Sequence, residues 1–213
     1  MKTFIKFAGA GICLATALMF NMAPSCAANL LADPGFELQT PSGSGGWNLF
    51  NGAAFNNTQA HSGSWSMLDA TVNNVPGSFQ EFAASAGMKF QLTGYGMTTT
   101  TLAGSPAFGV VQISYFDSAH VNLGTVETSP GNAKTSAQIN SSSTAGVWTF
   151  LDTGVATAPA NTAFIQAFTI YVDFSGNSQG VYFDDLNLVQ VPEPSSLGLL
   201  AAGAGVLMWR RRK

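Results

Sequence analysis

Apolar and polar residues alternate with period two through most of the middle of this 213-residue chain, whereas each end carries a short continuous apolar run. Successive side chains of a strand point to opposite faces, so this period predicts half-buried strands rather than helices, whose apolar positions recur every 3.6 residues. The clearest predicted strands are Trp65–Val72, Ser78–Phe82, Lys89–Tyr95, Phe108–Phe116, Val147–Leu151, Ala163–Phe174 and Gly180–Val189. Within the sixth, Phe164, Gln166, Phe168 and Ile170 share one face. Glycine, proline and asparagine at 51–52, 74–77, 101–106, 129–132 and 175–177 break the runs and predict turns, and Pro41–Gly46 and Asn140–Gly146 read as loops. No internal repeat is found. The spacing predicts an all-β domain, a jelly-roll β-sandwich of about eight or nine strands.

The two apolar ends have different flanks. Lys2 and Lys6 precede the uncharged stretch Phe7–Met22, which is followed by Pro24 and the small residues Cys26 and Ala28. That order reads as a secretory signal peptide over 1–28, cleaved after Ala28 to leave Asn29 first. The alternatives are a retained anchor and a lipoprotein acylated on Cys26, but Ala23-Pro24-Ser25 lacks the leucine expected three positions before such a cysteine. Cys13 and Cys26 both precede the cleavage point, so the exported domain has no disulfide, thiolate metal site or cysteine nucleophile to draw on.

At the other end Pro192-Glu193-Pro194 is followed by the uncharged run Ser196–Trp209 and then by Arg210-Arg211-Arg212-Lys213. A helix over 196–209 would measure about 21 Å, short of a hydrocarbon core near 30 Å, so it spans only by thinning the bilayer or using its flanks. The terminal cations should stay cytoplasmic and place the preceding domain outside the inner membrane. An ordinary single-span tail anchor would share these two features. With the Pro-Glu-Pro triplet added, the tail over 191–213 resembles the PEP-CTERM sorting signal. The resemblance implies an exosortase-type processing enzyme as partner, acting near Pro192, Glu193 and Pro194. It also implies transient anchoring in the inner membrane, followed by delivery to the cell surface or the extracellular space.

The segment between these ends, 29–190, has the length of one domain. From Asn29 to Val191 it contains two lysines, Lys89 and Lys134, against ten carboxylates, a formal net charge of −8, compared with −3 for the whole chain. With so few cations to replace counterions, nucleic acid is excluded as a partner, whereas divalent cations and neutral glycans remain. No metalloprotease, nucleophile-elbow or phosphate-loop motif occurs, and His61 and His120 are isolated in the sequence. The chain therefore reads as a non-enzyme.

Several segments in order, Asn29–Glu37, Gly46-Trp47, Ala60–Ser66, Trp148–Phe150 and Val181–Leu188, resemble the galactose-binding-like jelly rolls that include many carbohydrate-binding modules. In that family the first and last strands lie together and often hold a structural calcium. Carried over, the resemblance implies carboxylates from Glu37 and Asp184 and backbone carbonyls from Gly35 and Ser64. His61 and Ser62 depart from the pattern, standing where some members place an acid. Strand alternation turns Asp184 and Asp185 to opposite faces, which would let only one of them join a cage. Trp47 and Trp148 are implied to be core residues. For a glycan, Gln91, Tyr95, Gln112, Tyr115 and Gln166 on central strands are the candidate contacts, subject to register. The resulting expectation is an exported, exosortase-processed surface or matrix protein that binds exopolysaccharide without catalysis. The alternative is a purely structural biofilm matrix protein that contacts protein neighbours.

Overall fold

The computed structural model describes residues 27–38, 45–71, 74–102, 106–124, 133–174 and 179–192. The signal peptide as far as Cys26, the helix expected at 196–209, Glu193, Pro194, most of the loop at 41–46, the middle of the turn at 101–106 and the turns at 129–132 and 175–177 lie outside the described residues. The described residues form ten strands: β1 (Asn48–Phe50), β2 (Ala54–Asn56), β3 (Ser66–Thr71), β4 (Gly77–Ala83), β5 (Lys89–Met97), β6 (Phe108–Phe116), β7 (Ala133–Thr135), β8 (Thr149–Thr157), β9 (Phe164–Val172) and β10 (Gln179–Gln190). They make two five-stranded antiparallel sheets, in the orders β1-β4-β9-β6-β7 and β2-β3-β10-β5-β8. The all-β sandwich expected from period two is the observed architecture.

All seven predicted strands are present. The one expected at Val147–Leu151 starts two residues later and runs on to Thr157, past a register shift opposite β5 between Gln91 and Thr93. The three strands not predicted, β1, β2 and β7, are three residues long each, too short to show a period.

Alternation decides what each strand gives the core. On β9, Ile165, Ala167, Thr169 and Tyr171 are fully buried, while Phe164, Gln166, Phe168 and Ile170 turn outward and are half-buried. On β5, Phe90 and Leu92 point inward, and Gln91, Thr93 and Tyr95 outward. Gly109 of β6 faces Val181 of the other sheet so closely that any side chain there would overlap it. Trp47 is a core residue, as expected: its ring centroid lies 4.9 Å from that of Phe36 and its indole N–H donates to the Asp33 carbonyl at 3.0 Å. Trp148 is not. It is half-buried at the surface, because it precedes β8 and packs its edge on His61.

The two ends of the domain meet. The Asn29 side chain donates to the Leu186 carbonyl at 2.8 Å and accepts from the Leu188 amide at 3.0 Å, while the Val191 amide donates to the Lys89 carbonyl at 2.8 Å. Ala28, Leu30, Gln190 and Pro192 line one shallow hollow, so the expected signal-cleavage site and the start of the sorting segment emerge side by side.

Candidate functional site

Three segments far apart in sequence converge beside β10, the central strand of the second sheet. Asp184 lies at the start of an irregularity in β10 that runs to Asn187, and Asp185 adopts a left-handed backbone with φ 49°. This breaks the strand alternation. A side-chain carbon at Gly35 would sit 3.8 Å from Asp184 Oδ1 and 3.7 Å from Asp185 Oδ1, so both carboxylates reach the same cradle, contrary to the expectation that only one could. Asp33 (φ 45°) and Phe36 (φ 60°) are also left-handed, which concentrates backbone strain at this point.

The loop 61–65 closes the cradle. Asp184 Oδ2 accepts from the His61 and Ser62 amides at 2.7 and 3.1 Å, and Glu37 Oε1 accepts from the Ser64 and Trp65 amides at 2.8 and 2.9 Å. Asp185 receives the His61 Nδ1–H and the Ser62 hydroxyl, both at 2.6 Å. His61 and Ser62 thus do not replace an acid; they hold one. Burial pushes the Asp184 carboxyl up to about 6, the backbone amides of Ser62, Asp185 and His61 draw it back, and the charge of Asp185 raises it again. Among the described residues no three His, Cys, Asp or Glu side chains are gathered closely enough to bind a metal by themselves, so a cation here would need backbone carbonyls too. Beside Gly35 lie one oxygen each of Asp184 and Asp185 and the side-chain carbon Cγ of Glu37, so the hard oxygen donors that calcium takes are present in part.

The five residues considered for a glycan do not share one surface. Tyr115 is wholly buried between the sheets beside Ile113, because odd-numbered positions on this part of β6 face inward, and burial pushes its phenol well above the usual tyrosine range. It lines no outer face. Gln112 and Gln166 lie on the outer face of the first sheet, whereas Gln91 and Tyr95 lie on the outer face of the second.

On the first sheet the outer face gathers residues that sequence reasoning did not select. Phe79 and Phe168 are cross-strand partners with ring centroids 5.4 Å apart, and Phe50 joins them at 6.4 Å from each. Gly77 leaves the space that the Phe50 ring occupies. Two residues along β9, Gln166 Nε2 donates to Glu81 Oε2 at 2.6 Å, and His120 Nε2–H donates to Glu81 Oε1 at 3.1 Å. The His120 ring stacks on Phe164 at 4.4 Å, and Gln112 Nε2 donates to Ser114 Oγ at 2.8 Å. A carboxylate–amide pair therefore lies between two aromatic groups about 13 Å apart along the strand. The period of β9 signalled Phe168; nothing local signalled that Glu81 and His120 meet.

On the second sheet, Tyr95 faces Phe150 across the strand pair at 5.5 Å and stacks on His61 at 3.7 Å. Gln91 Nε2 donates to both oxygens of Asp152 at 2.9 and 3.0 Å.

The sandwich superposes on the CBM22-1 xylan-binding domain of Paenibacillus barcinonensis Xyn10C with a TM-score of 0.52 at 14% identity, covering 80% of this chain and 99% of that one. A C-terminal family 22 carbohydrate-binding module of Clostridium thermocellum Xyn10B gives 0.50 at 13%, covering 78% and 97%. The enzymatically active domain of the bacteriophage CBA120 tailspike protein 4 gives 0.52 at 13%, covering 76% of this chain but only 21% of that longer one. At such identities the likeness is one of fold, a jelly roll of the carbohydrate-binding-module type. Residues 190–213 match the PEP-CTERM protein-sorting motif, which marks the chain for C-terminal sorting to the cell surface or extracellular space. No curated protein matches the sequence.

Proposed function

We propose that this protein is an exported, exosortase-processed glycan-binding protein that holds a neutral exopolysaccharide without catalysis, on the outer face of its first sheet. The observation that carries this reading is the Glu81–Gln166 pair set between the Phe50, Phe79 and Phe168 rings and the His120–Phe164 stack. Aromatic rings offer flat apolar surface to the C–H faces of sugars, and the planar carboxylate and amide offer an acceptor and a donor for hydroxyls. Glu81, held by two donors, loses little side-chain freedom when a ligand arrives. No activated nucleophile is assembled in the cradle, since the Ser62 hydroxyl donates to Asp185 and not to the imidazole.

A binding screen tests the reading. The domain 29–191, which contains all ten strands, is titrated with soluble xylan, galactan and glucan. Selective binding is expected, with F79A or F168A roughly tenfold weaker, a loss of about 1.4 kcal/mol. A folded domain that binds none of them would leave a structural role contacting protein neighbours ahead.

Calcium belongs to the same proposal. Glu37, Asp184 and Asp185 with carbonyls such as those of Gly35 and Ser64 would hold it, tying the first loop to the last strand. Saturating calcium at about one hundred times its dissociation constant should stabilise the domain by about 2.7 kcal/mol. Thermal melts with calcium and with a chelator measure this, and E37Q should abolish the difference. Identical melts in both would remove calcium from the account.

A further inference from the structure

The outer face of the second sheet carries the same combination of groups as the first, built from different strands. Lys89, Gln91, Thr93 and Tyr95 alternate outward along β5, and on β8 the outward residues include Phe150 and Asp152 opposite Tyr95 and Thr93. An ordinary solvated sheet face is polar with scattered apolar residues. Here Phe150, opposite Tyr95, and Val155, opposite Gln91, are about half exposed (55% and 47%), and Val147 (50%) immediately precedes Trp148. The rings are held in place: His61 lies flat on Tyr95, is fixed through Nδ1 to Asp185, and meets the edge of Trp148 at 5.6 Å. The polar groups are held as well, since Asp152 takes both bonds from Gln91 and a third from the Gly154 amide at 2.7 Å. Such groups are pre-organised, which cuts the ordering cost of binding.

Resting on the glycan reading above, we infer that this face is a second glycan-binding site, so that one domain joins two polysaccharide chains. The sheets pack about 10 Å apart and their outer faces point in opposite directions, so no single straight ligand touches both. The ligand is a neutral, hydroxyl-rich chain laid from Phe150 and Tyr95 toward Gln91 and Asp152. Asp152 and Asp185 reject a uronate-bearing polyanion by like charge, and Phe150 and Trp148 supply the stacking surface. Two back-to-back sites would make the domain a cross-linker of an extracellular matrix instead of a passive passenger on one chain.

The test uses neutral hexasaccharides of xylan, galactan and glucan for stoichiometry and the corresponding polymers for cross-linking, with four proteins: wild type, F79A/F168A on the first face, W148A/F150A on the second, and the quadruple variant. Trp148 and Phe150 are partly or largely exposed, and unchanged circular dichroism and melting establish that each variant is folded. Calorimetry is expected to give two hexasaccharides per wild-type domain, one for each two-residue variant and none for the quadruple. Wild type should also raise turbidity with the polymer and bind it at least one hundredfold more tightly than the hexasaccharide, and both effects should vanish in either two-residue variant. A stoichiometry of one in wild type, or W148A/F150A behaving as wild type, would overturn the second site while leaving the first intact. Binding lost only in W148A/F150A would overturn the two-site inference and the assignment of the first face together. A complete absence of binding would sink the glycan reading itself.

Discussion

The substitution Asp69→Asn is expected to raise the stability of the domain at pH 8 and to flatten its dependence on pH. Asp69 lies on β3 beside Val181 with its side chain wholly inside the sandwich, and neither carboxylate oxygen finds a hydrogen-bond partner. Burial pushes its carboxyl up to about 7, and the Thr169 hydroxyl draws it back only in part. That hydroxyl is engaged with Ser78 Oγ at 2.8 Å. The folded-state value lies above the unfolded one, so the folded domain binds the proton more tightly. The stability this group contributes is therefore fully present below about pH 4 and is lost as pH rises to about 7; its whole excursion is roughly 4 kcal/mol. Asp184, raised to about 6, adds to the slope in the same sense. Asparagine keeps the shape without the ionisation, and a gain of about 2 kcal/mol at pH 8 would raise the melting temperature by about 4–8 °C for a domain of this size. Melting curves at pH 5 and pH 8 for both proteins check the sign and the size. An unchanged slope in D69N would show that Asp69 is not the group responsible.

The opposite result is expected of Gly63→Ala. Gly63 sits in the loop that closes the carboxylate cradle, with φ at 63°, and a side-chain carbon there would overlap Glu37 Oε1. Glu37 cannot simply move aside, because that oxygen holds the Ser64 and Trp65 amides. Backbone strain and overpacking together should cost roughly 3 kcal/mol. Gly146→Ala supplies the control. Its φ is 74°, but nothing lies within 4 Å of the added carbon, so it should cost only about 1–2 kcal/mol from the backbone. Equal melting temperatures for the two variants would mean that the Glu37 contact contributes nothing.

Much of the site lay beyond the sequence for a definable reason. Strand parity was readable, and it alone separates Gln112 from Tyr115, three residues away on β6 and therefore on the other face. The pairing of strands was not. Glu81 and Gln166 meet because β4 and β9 are neighbours in register, and Gln91 meets Asp152 because β5 and β8 are. The cradle was half readable: the family resemblance brought Glu37 and Asp184 together, whereas the turn of Asp185 into the same space depends on an irregularity in β10 that no local signal announces. Trp148 was assigned to the core on resemblance, and its surface position follows from the later start of β8.

The sequence by itself determined the class of the domain and the nature of its tail. Alternation is a property of each strand taken singly, and a sorting motif such as that at 190–213 is a linear string. Only the tertiary structure decided which side chains form sites. His61 and Asp185 are 124 positions apart and touch at 2.6 Å, because sheet order, register and one irregularity are settled by the packing of two sheets against each other. Those choices are energetically global, and a pattern of period two is compatible with many of them.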